Sequence, residues 1–324
     1  MKEANFISCV IYLHKIYNEK DAQNFTANLY YGLLQYFTKY EVILVNDSCS
    51  NNDLKSFTHM LCENISRNDI TIIDMADYSG VENSMLAGDD LAIGDYIFEF
   101  ESIYADYSQE LLMEVYRKCL TGYDIVSAKP SHNKYFSSRV FYMLYNIGVE
   151  KQNRIYSEAF RIISRRAYNR VSAFGKIIPY RKTFYASCGL RRYAILYDTL
   201  PYAGKGRLDS SEITYKTGLA INSLLMFTKT LRRLILCLSF FFLLLFVVIA
   251  MRSLFYYFNS QEIVQGWTST ILYLSAGFFG MFVIMAIVLK YLSLILNIIL
   301  KNKTYHVESV HKCTNSTVDE HEIY

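Results

Sequence analysis

The chain has 324 residues, 52% of them hydrophobic and 16% aromatic, with 3 prolines and 14 glycines, a composition that excludes disorder, a collagen-like repeat and low complexity. Its 33 Lys and Arg against 30 Asp and Glu leave a net charge of +3, too balanced for a chain whose main partner is nucleic acid. The 7 cysteines are scattered and form no C-x-x-C pair, which points to a reducing compartment rather than to a zinc or redox motif.

From the N-terminus, the chain reaches the strand-like run Phe6-Ile7-Ser8-Cys9-Val10-Ile11 without the apolar core and cleavage site of a signal peptide, so the first two hundred residues are expected in the cytoplasm. Short β-branched runs then alternate with helical patterns over residues 7–11, 22–37, 42–45, 54–65 and 70–73. That alternation predicts βαβ units and a mostly parallel sheet. Ligands of such sheets bind beyond the carboxyl ends of the strands. The residues there are polar: Glu19 after the first strand, Asn46-Asp47-Ser48 after the second, and Glu99-Phe100-Glu101 after Tyr96-Ile97-Phe98. No G-x-G-x-x-G and no Walker lysine loop follows a strand, which removes the usual dinucleotide and P-loop readings. Residues i and i+2 of a strand share a face, so Glu99 and Glu101 can address one site. Two carboxylates there suit a divalent ion shared with a diphosphate, because hard cations take oxygen ligands.

The last third differs in kind. Residues 234–251 carry no charge, nor do residues 266–289, and each run can cross a hydrocarbon core of about 30 Å. Arg232 and Arg233 precede the first, Lys290, Lys301 and Lys303 follow the second, and the connection over 252–265 holds one Arg and one Glu. The bias of positive charge predicts two transmembrane helices with both termini cytoplasmic.

Several segments together resemble the family 2 glycosyltransferases, in particular the membrane-bound branch that includes bactoprenol glucosyltransferases and dolichyl-phosphate mannose synthase. They are Tyr17-Asn18-Glu19, the run VILVNDSCSNND over 42–53, the small-residue ladder Gly80, Ser84, Gly88, Ala92 and Gly94-Asp95, the E-x-E pair in place of D-x-D, and Glu158-Ala159-Phe160-Arg161 in place of D-F-R. Toward the C-terminus, Gly204-Lys205-Gly206-Arg207, the amphipathic stretch 217–228, Gly266-Trp267-Thr268-Ser269 and Lys301-Asn302-Lys303-Thr304-Tyr305 extend the resemblance. The chain departs from the family at Asn46 and Ala159, where acids are usual, at Ile103-Tyr104-Ala105, where Q-D-P is usual, and at Lys290, which reverses an acid. The processive branch carries Q-x-x-R-W, but Trp267, the single tryptophan, stands at the second apolar run.

The resemblance implies an α/β, Rossmann-like GT-A catalytic domain over 1–215, a juxtamembrane amphipathic helix over 216–233, transmembrane helices over 234–257 and 266–289, and a cytoplasmic tail over 290–324. It implies transfer of one sugar from a nucleotide-sugar to a polyprenyl phosphate at the cytoplasmic face of the inner membrane. Glu101 and Glu158 would be catalytic, and Glu19, Asn46, Asp47, Gly80 and Glu99 would bind the nucleotide-sugar. Arg161, Lys205 and Arg207 would bind the acceptor phosphate, and Glu99 with Glu101 would hold Mg or Mn. The branch assembles as tetramers, and Gly277 and Gly280 would permit close helix contact, although they form no G-x-x-x-G. Two alternatives remain open: transfer to a lipid-linked saccharide, and a non-catalytic membrane-bound relative, the latter suggested by Asn46, the E-x-E pair and Ala159.

Overall fold

The computed structural model describes residues 2–16, 18–131, 136–173, 180–200, 266–300 and 305–313, together with isolated positions between 215 and 252. Of the expected regions, most of 201–265 therefore lies outside the described residues, including Lys205, Arg207 and nearly all of the juxtamembrane stretch.

The chain runs β1 (Glu3–Leu13), α1 (Glu19–Gly32), β2 (Phe37–Asn46), α2 (Asn51–Cys62), β3 (Ile70–Met75), α3 (Gly80–Leu91), β4 (Tyr96–Phe100), α4 (Glu110–Leu120), β5 (Ile125–Pro130), α5 (Phe136–Ile147), β6 (Phe160–Ser164), α6 (Arg165–Ser172), α7 (Arg181–Ser187), β7 (Arg192–Tyr197), α8 (Trp267–Leu300) and β8 (Val307–Lys312). Local chemistry starts the early helices three residues before the expected patterns at 22 and 54. The Asn18 side chain caps α1 by accepting from the Lys20 amide, and Ser50 caps α2 by accepting from the Asp53 amide.

The strands form one sheet in the order β7-β5-β6-β4-β1-β2-β3-β8. The block β4-β1-β2-β3 is parallel, as expected, but β6 lies antiparallel between β4 and β5, and β8 antiparallel on β3, so the sheet is mixed. Alternation along β1 divides the core. Ile7, Cys9, Ile11 and Leu13 face α1, α2 and α4, whereas Val10 and Tyr12 face α3, α6 and α7. The small residues of α3 let it approach the sheet closely: a Cβ on Gly88 would stand 2.3 Å from Val10 Cγ1 and 2.8 Å from Val45 Cγ2.

The chain steps from β1 to β2 to β3 in one direction, then α3 carries it back to β4 on the other side of β1. The carboxyl ends of β1 and β4 therefore flank the crevice where an open parallel sheet reverses its winding, the usual ligand site of such folds.

The region expected as a cytoplasmic tail contains β8. It pairs with β3 from Thr71↔Lys312 to Met75↔Val307, and the Cys313 amide donates to the Ile70 carbonyl at 3.0 Å. Residues drawn outside the catalytic domain by sequence are thus part of its sheet. The pattern over 307–312, VESVHK, is too short and polar to stand out unless its partner β3 is known.

Among the described residues no helix is long and apolar enough to cross a membrane. Helix α8 is continuous over 34 residues with Lys290 as its single charge, and several of its side chains lie outside the described set. It includes the expected second span and continues ten residues past Lys290. The isolated described positions of the first apolar run are helical, and one meets α8: a Cβ on Gly280 would stand 2.5 Å from the Phe242 ring.

Candidate active site

At the carboxyl end of β4, alternation turns Glu99 and Glu101 toward the face that packs on α3 and α7. Arg161 is the direct antiparallel partner of Glu99 in β6. Arg181 and Lys182 open α7, and Glu82 and Asp89, two turns apart on α3, complete the cluster from beneath.

These groups are almost wholly buried and tightly paired. Glu99 Oε2 lies 3.1 Å from Arg161 Nη1 and 2.9 Å from Arg181 Nη1, while Glu99 Oε1 accepts from the Tyr185 hydroxyl at 2.5 Å. Glu101 Oε1 is bound by Arg161 Nη2 and lies 3.4 Å from Arg181 Nη2, and Glu101 Oε2 lies 3.0 Å from Lys182 Nζ. Glu158 Oε2 lies 3.0 Å from Arg161 Nε. Behind them, Glu82 Oε2 accepts from the Arg181 amide at 2.9 Å and from its Nε at 3.1 Å, and Asp89 Oδ2 lies 3.1 Å from Arg181 Nη1.

The electrostatics follow from burial and pairing. Burial works to raise the pKa of Glu101, but Lys182, Arg161 and Arg181 outweigh it and hold the carboxyl well below its ordinary range. Burial likewise opposes the charge on Lys182, yet Glu101 beside it raises its pKa above the usual value. Asp89 goes the other way: burial, then the neighbouring charge of Glu99, raises it well above the ordinary carboxyl value.

Lys205 and Arg207 lie outside the described residues; the other residues singled out in the sequence have definite places. The structure brings Glu99, Glu101, Glu158 and Arg161 together. Their polar contacts are with one another and with Tyr185, Arg181 and Lys182, which sequence reasoning missed; the only signal was an adjacent Arg-Lys pair opening a short helix. Glu158, expected as catalytic, is a partner of the Arg161 guanidinium, and Arg161, expected on the acceptor phosphate, has all three of its nitrogens against carboxylates and is 2% exposed. Ala159 packs on the hydrophobic core.

The residues expected to hold the nucleoside have local roles. Asp47 is fully buried, with Oδ1 accepting from the Ser79 amide at 2.8 Å and Oδ2 from the Gly80 amide at 2.9 Å and the Tyr12 hydroxyl at 3.0 Å. Its carboxylate thereby closes the N-terminus of α3, where negative charge is favourable. Asn46 donates to Asp74 Oδ1 at 2.7 Å and accepts from the Cys49 amide at 2.9 Å. Gly80 has φ +76° and lies against Tyr215, where a Cβ would be 2.3 Å from the ring. Glu19 is exposed in the first turn of α1.

A second unanticipated residue is His14, just past β1. Its Nδ1 lies 2.6 Å from the Asp47 carbonyl oxygen, its ring centroid 4.8 Å from that of Tyr78, and its buried Nε2 has no hydrogen-bond partner among the described residues.

A divalent ion does not fit the E-x-E pair as it stands. All four carboxylate oxygens of Glu99 and Glu101 face Arg, Lys or Tyr donors. A metal coordinates carboxylate oxygen at about 2.0–2.6 Å, which here would set two cations against one another within a few ångströms. Among the described residues no group of three or more His, Cys, Asp or Glu has the arrangement of a metal site.

No family model and no curated protein matches the sequence. Solved structures similar to the chain include mannosyl-3-phosphoglycerate synthase from Rubrobacter xylanophilus, at 9% identity and TM-score 0.45, covering 68% of this chain and 74% of that one. Glucosyl-3-phosphoglycerate synthase from Mycobacterium tuberculosis, in complex with Mn2+, uridine-diphosphate-glucose and phosphoglyceric acid, is similar at 11% identity and TM-score 0.46, covering 68% and 79%. So is 4-diphosphocytidyl-2C-methyl-D-erythritol synthase from Anaerococcus prevotii, at 10% identity and TM-score 0.42, covering 67% and 98%. Likeness at this level assigns neither a family nor an activity.

Proposed function

We propose that this chain is a GT-A type glycosyltransferase that uses a nucleotide-sugar donor and a polyprenyl phosphate acceptor at the cytoplasmic face of the membrane. The observation that carries the reading is the placement of the charged cluster built on Glu99 and Glu101 at the carboxyl end of β4, beside the crevice where the sheet reverses its winding. Open α/β sheets bind nucleotides at that crevice, and His14, at the end of neighbouring β1, packs there against Tyr78, which follows β3. The resemblance to the family 2 enzymes supplies the reaction class.

The lipid acceptor is supported by the C-terminal architecture. The chain leaves the α/β domain after β7 and returns to its sheet at β8, so any crossing of a bilayer between them must be even in number. Two apolar runs that touch at Phe242 and Gly280 suit a helical hairpin. In the proposed reaction an oxygen of the lipid phosphate attacks the anomeric carbon, the bond from that carbon to the donor's diphosphate breaks, and the nucleoside diphosphate leaves with the electron pair. The nucleophile is already an oxyanion, so no proton need be removed. This accommodates Ala159 where the resemblance leads one to expect a basic carboxylate.

The test is transfer of labelled sugar from a panel of nucleotide-sugars to undecaprenyl phosphate by detergent-purified protein. A labelled lipid product from one donor is expected. Transfer only to a lipid-linked saccharide would move the acceptor to that class. Binding of nucleotide-sugar with no transfer to either acceptor would favour the non-catalytic reading, which Ala159 and the internally paired acids also motivate.

A further inference from the structure

We infer that the donor's diphosphate is held by Lys182, Arg161 and Arg181 without a divalent cation, and that Glu101 is the resident anion it displaces. The inference rests on the nucleotide-sugar reading above.

Three observations carry it. First, every oxygen of the E-x-E pair already lies within reach of a cation or hydroxyl: Glu99 is shared by Tyr185, Arg161 and Arg181, and Glu101 by Arg161, Arg181 and Lys182. The cluster sets five carboxylates, those of Glu82, Asp89, Glu99, Glu101 and Glu158, against the three cations Arg161, Arg181 and Lys182, with Glu82 and Asp89 lying behind Arg181. At the mouth, the carboxylate oxygens of Glu99 and Glu101 that an arriving metal would need already face guanidinium, ammonium or hydroxyl donors. Second, the members differ in depth. The side chains of Arg161, Arg181 and Lys182 are 3%, 1% and 8% exposed, whereas that of Glu101 is 20% exposed and follows the end of β4. Glu101 is therefore the group that side-chain rotation can release to solvent, leaving the cations in place.

Third, the geometry of Glu101 is that of a bridging anion. One oxygen meets Arg161 and Arg181, and the other meets Lys182. A diphosphate presents several oxygens at comparable spacing and more charge, so it can take over the same donors. Guanidinium groups favour such multidentate contacts with phosphate oxygens. The cations are also already desolvated and fixed by Glu99, Glu158, Glu82 and Asp89, so binding does not require ordering long basic side chains.

The decisive measurement is calorimetric binding of UDP, GDP and dTDP to the full-length protein in detergent, in EDTA and in Mn2+, alongside Mn2+ binding followed by electron paramagnetic resonance. One nucleotide is expected to bind with affinities equal within about twofold in the two conditions. Lys182→Met should weaken binding by roughly tenfold or more, as loss of a charge-assisted hydrogen bond does. Glu101→Gln gives the sharpest sign: removing the competing anion should tighten binding in EDTA, whereas removing a metal ligand would weaken it in Mn2+. Should either variant fail to fold, the wild-type comparison decides alone. Binding that requires Mn2+, with Mn2+ uptake lost in Glu101→Gln, overturns the inference and leaves the glycosyltransferase reading standing. No nucleotide binding in either condition overturns both.

Discussion

Arg181 has four carboxylates within ion-pairing reach, those of Glu82, Asp89, Glu99 and Glu101, and its side chain is 1% exposed. A buried charge network of this kind adds little net stability over apolar packing, because desolvation offsets attraction, but removing one partner leaves the others uncompensated. Arg181→Met is therefore expected to destabilise the domain by about 3–5 kcal/mol, read as a lower urea midpoint with an unchanged slope. Equal stability would mean that the acids simply take up protons in its absence. At the opposite end of the strands, Arg166 donates to Asp124 from Nε at 2.9 Å and from Nη2 at 2.6 Å. Burial works to raise the Asp124 pKa, but Arg166 and Ser164 outweigh it and lower it below the ordinary value. The sign follows: a depressed folded pKa contributes stability that is present above the unfolded value of about 3.9 and is lost as pH falls through the folded one. Arg166 is 71% exposed, so solvent screening keeps the effect small. The stability gap between wild type and Asp124→Asn should be full at pH 6 and should close on acidification below pH 4; a gap independent of pH would contradict the pairing.

At the scale of elements, α3 is defined by small residues rather than by a strong amphipathic pattern. Replacing Gly88 by Ala raises helix propensity by about 1 kcal/mol, yet sets a Cβ 2.3 Å from Val10 Cγ1, and overpacking costs about 1–3 kcal/mol. Packing should win, and Gly88→Ala is expected to lower stability, with part of the loss recovered when Val10→Ala is added. Simple additivity of the two changes would show that the contact relaxes freely. The ladder Gly80, Ser84, Gly88 and Ala92 was legible in the sequence because its spacing matches the helical repeat. The second half of the sheet was not. Strand β6 lies between β4 and β5 by long-range pairing, and nothing local in Phe160-Arg161-Ile162-Ile163-Ser164 states its direction. Strand β8 was missed for the same reason. Removing residues 305–324 should expose the edge of β3 and cost on the order of 2 kcal/mol, a Tm drop of about 4–8 °C for a domain of this size, with more aggregation from the opened edge. An unchanged Tm would mean that β8 is dispensable to the sheet.

For the whole molecule, the return of the chain to the sheet after the two apolar runs constrains the topology of the proposed hairpin. Because β1 and β8 belong to one sheet, the N-terminal domain and residues 307–312 must lie on one side of any membrane the protein spans. Protein expressed in bacterial cells is expected to resist carbonate extraction from membranes, and epitope tags at either terminus should both be shielded from protease in intact spheroplasts. Extraction by carbonate, or digestion of one tag but not the other, would contradict the hairpin.

The sequence by itself determined what depends on neighbouring residues: the βαβ alternation of the first hundred residues, the small-residue helix, the E-x-E pair at a strand end and the two uncharged runs. Only the tertiary structure decided what depends on residues distant in the chain. It brought Arg181 and Lys182, about eighty positions away, onto Glu101, turned the expected metal ligands into partners of buried cations, and returned the C-terminal strand to β3. The physical reason is that capping and periodicity act over a few residues, whereas the environment of a carboxylate is set by whichever charges the fold packs against it.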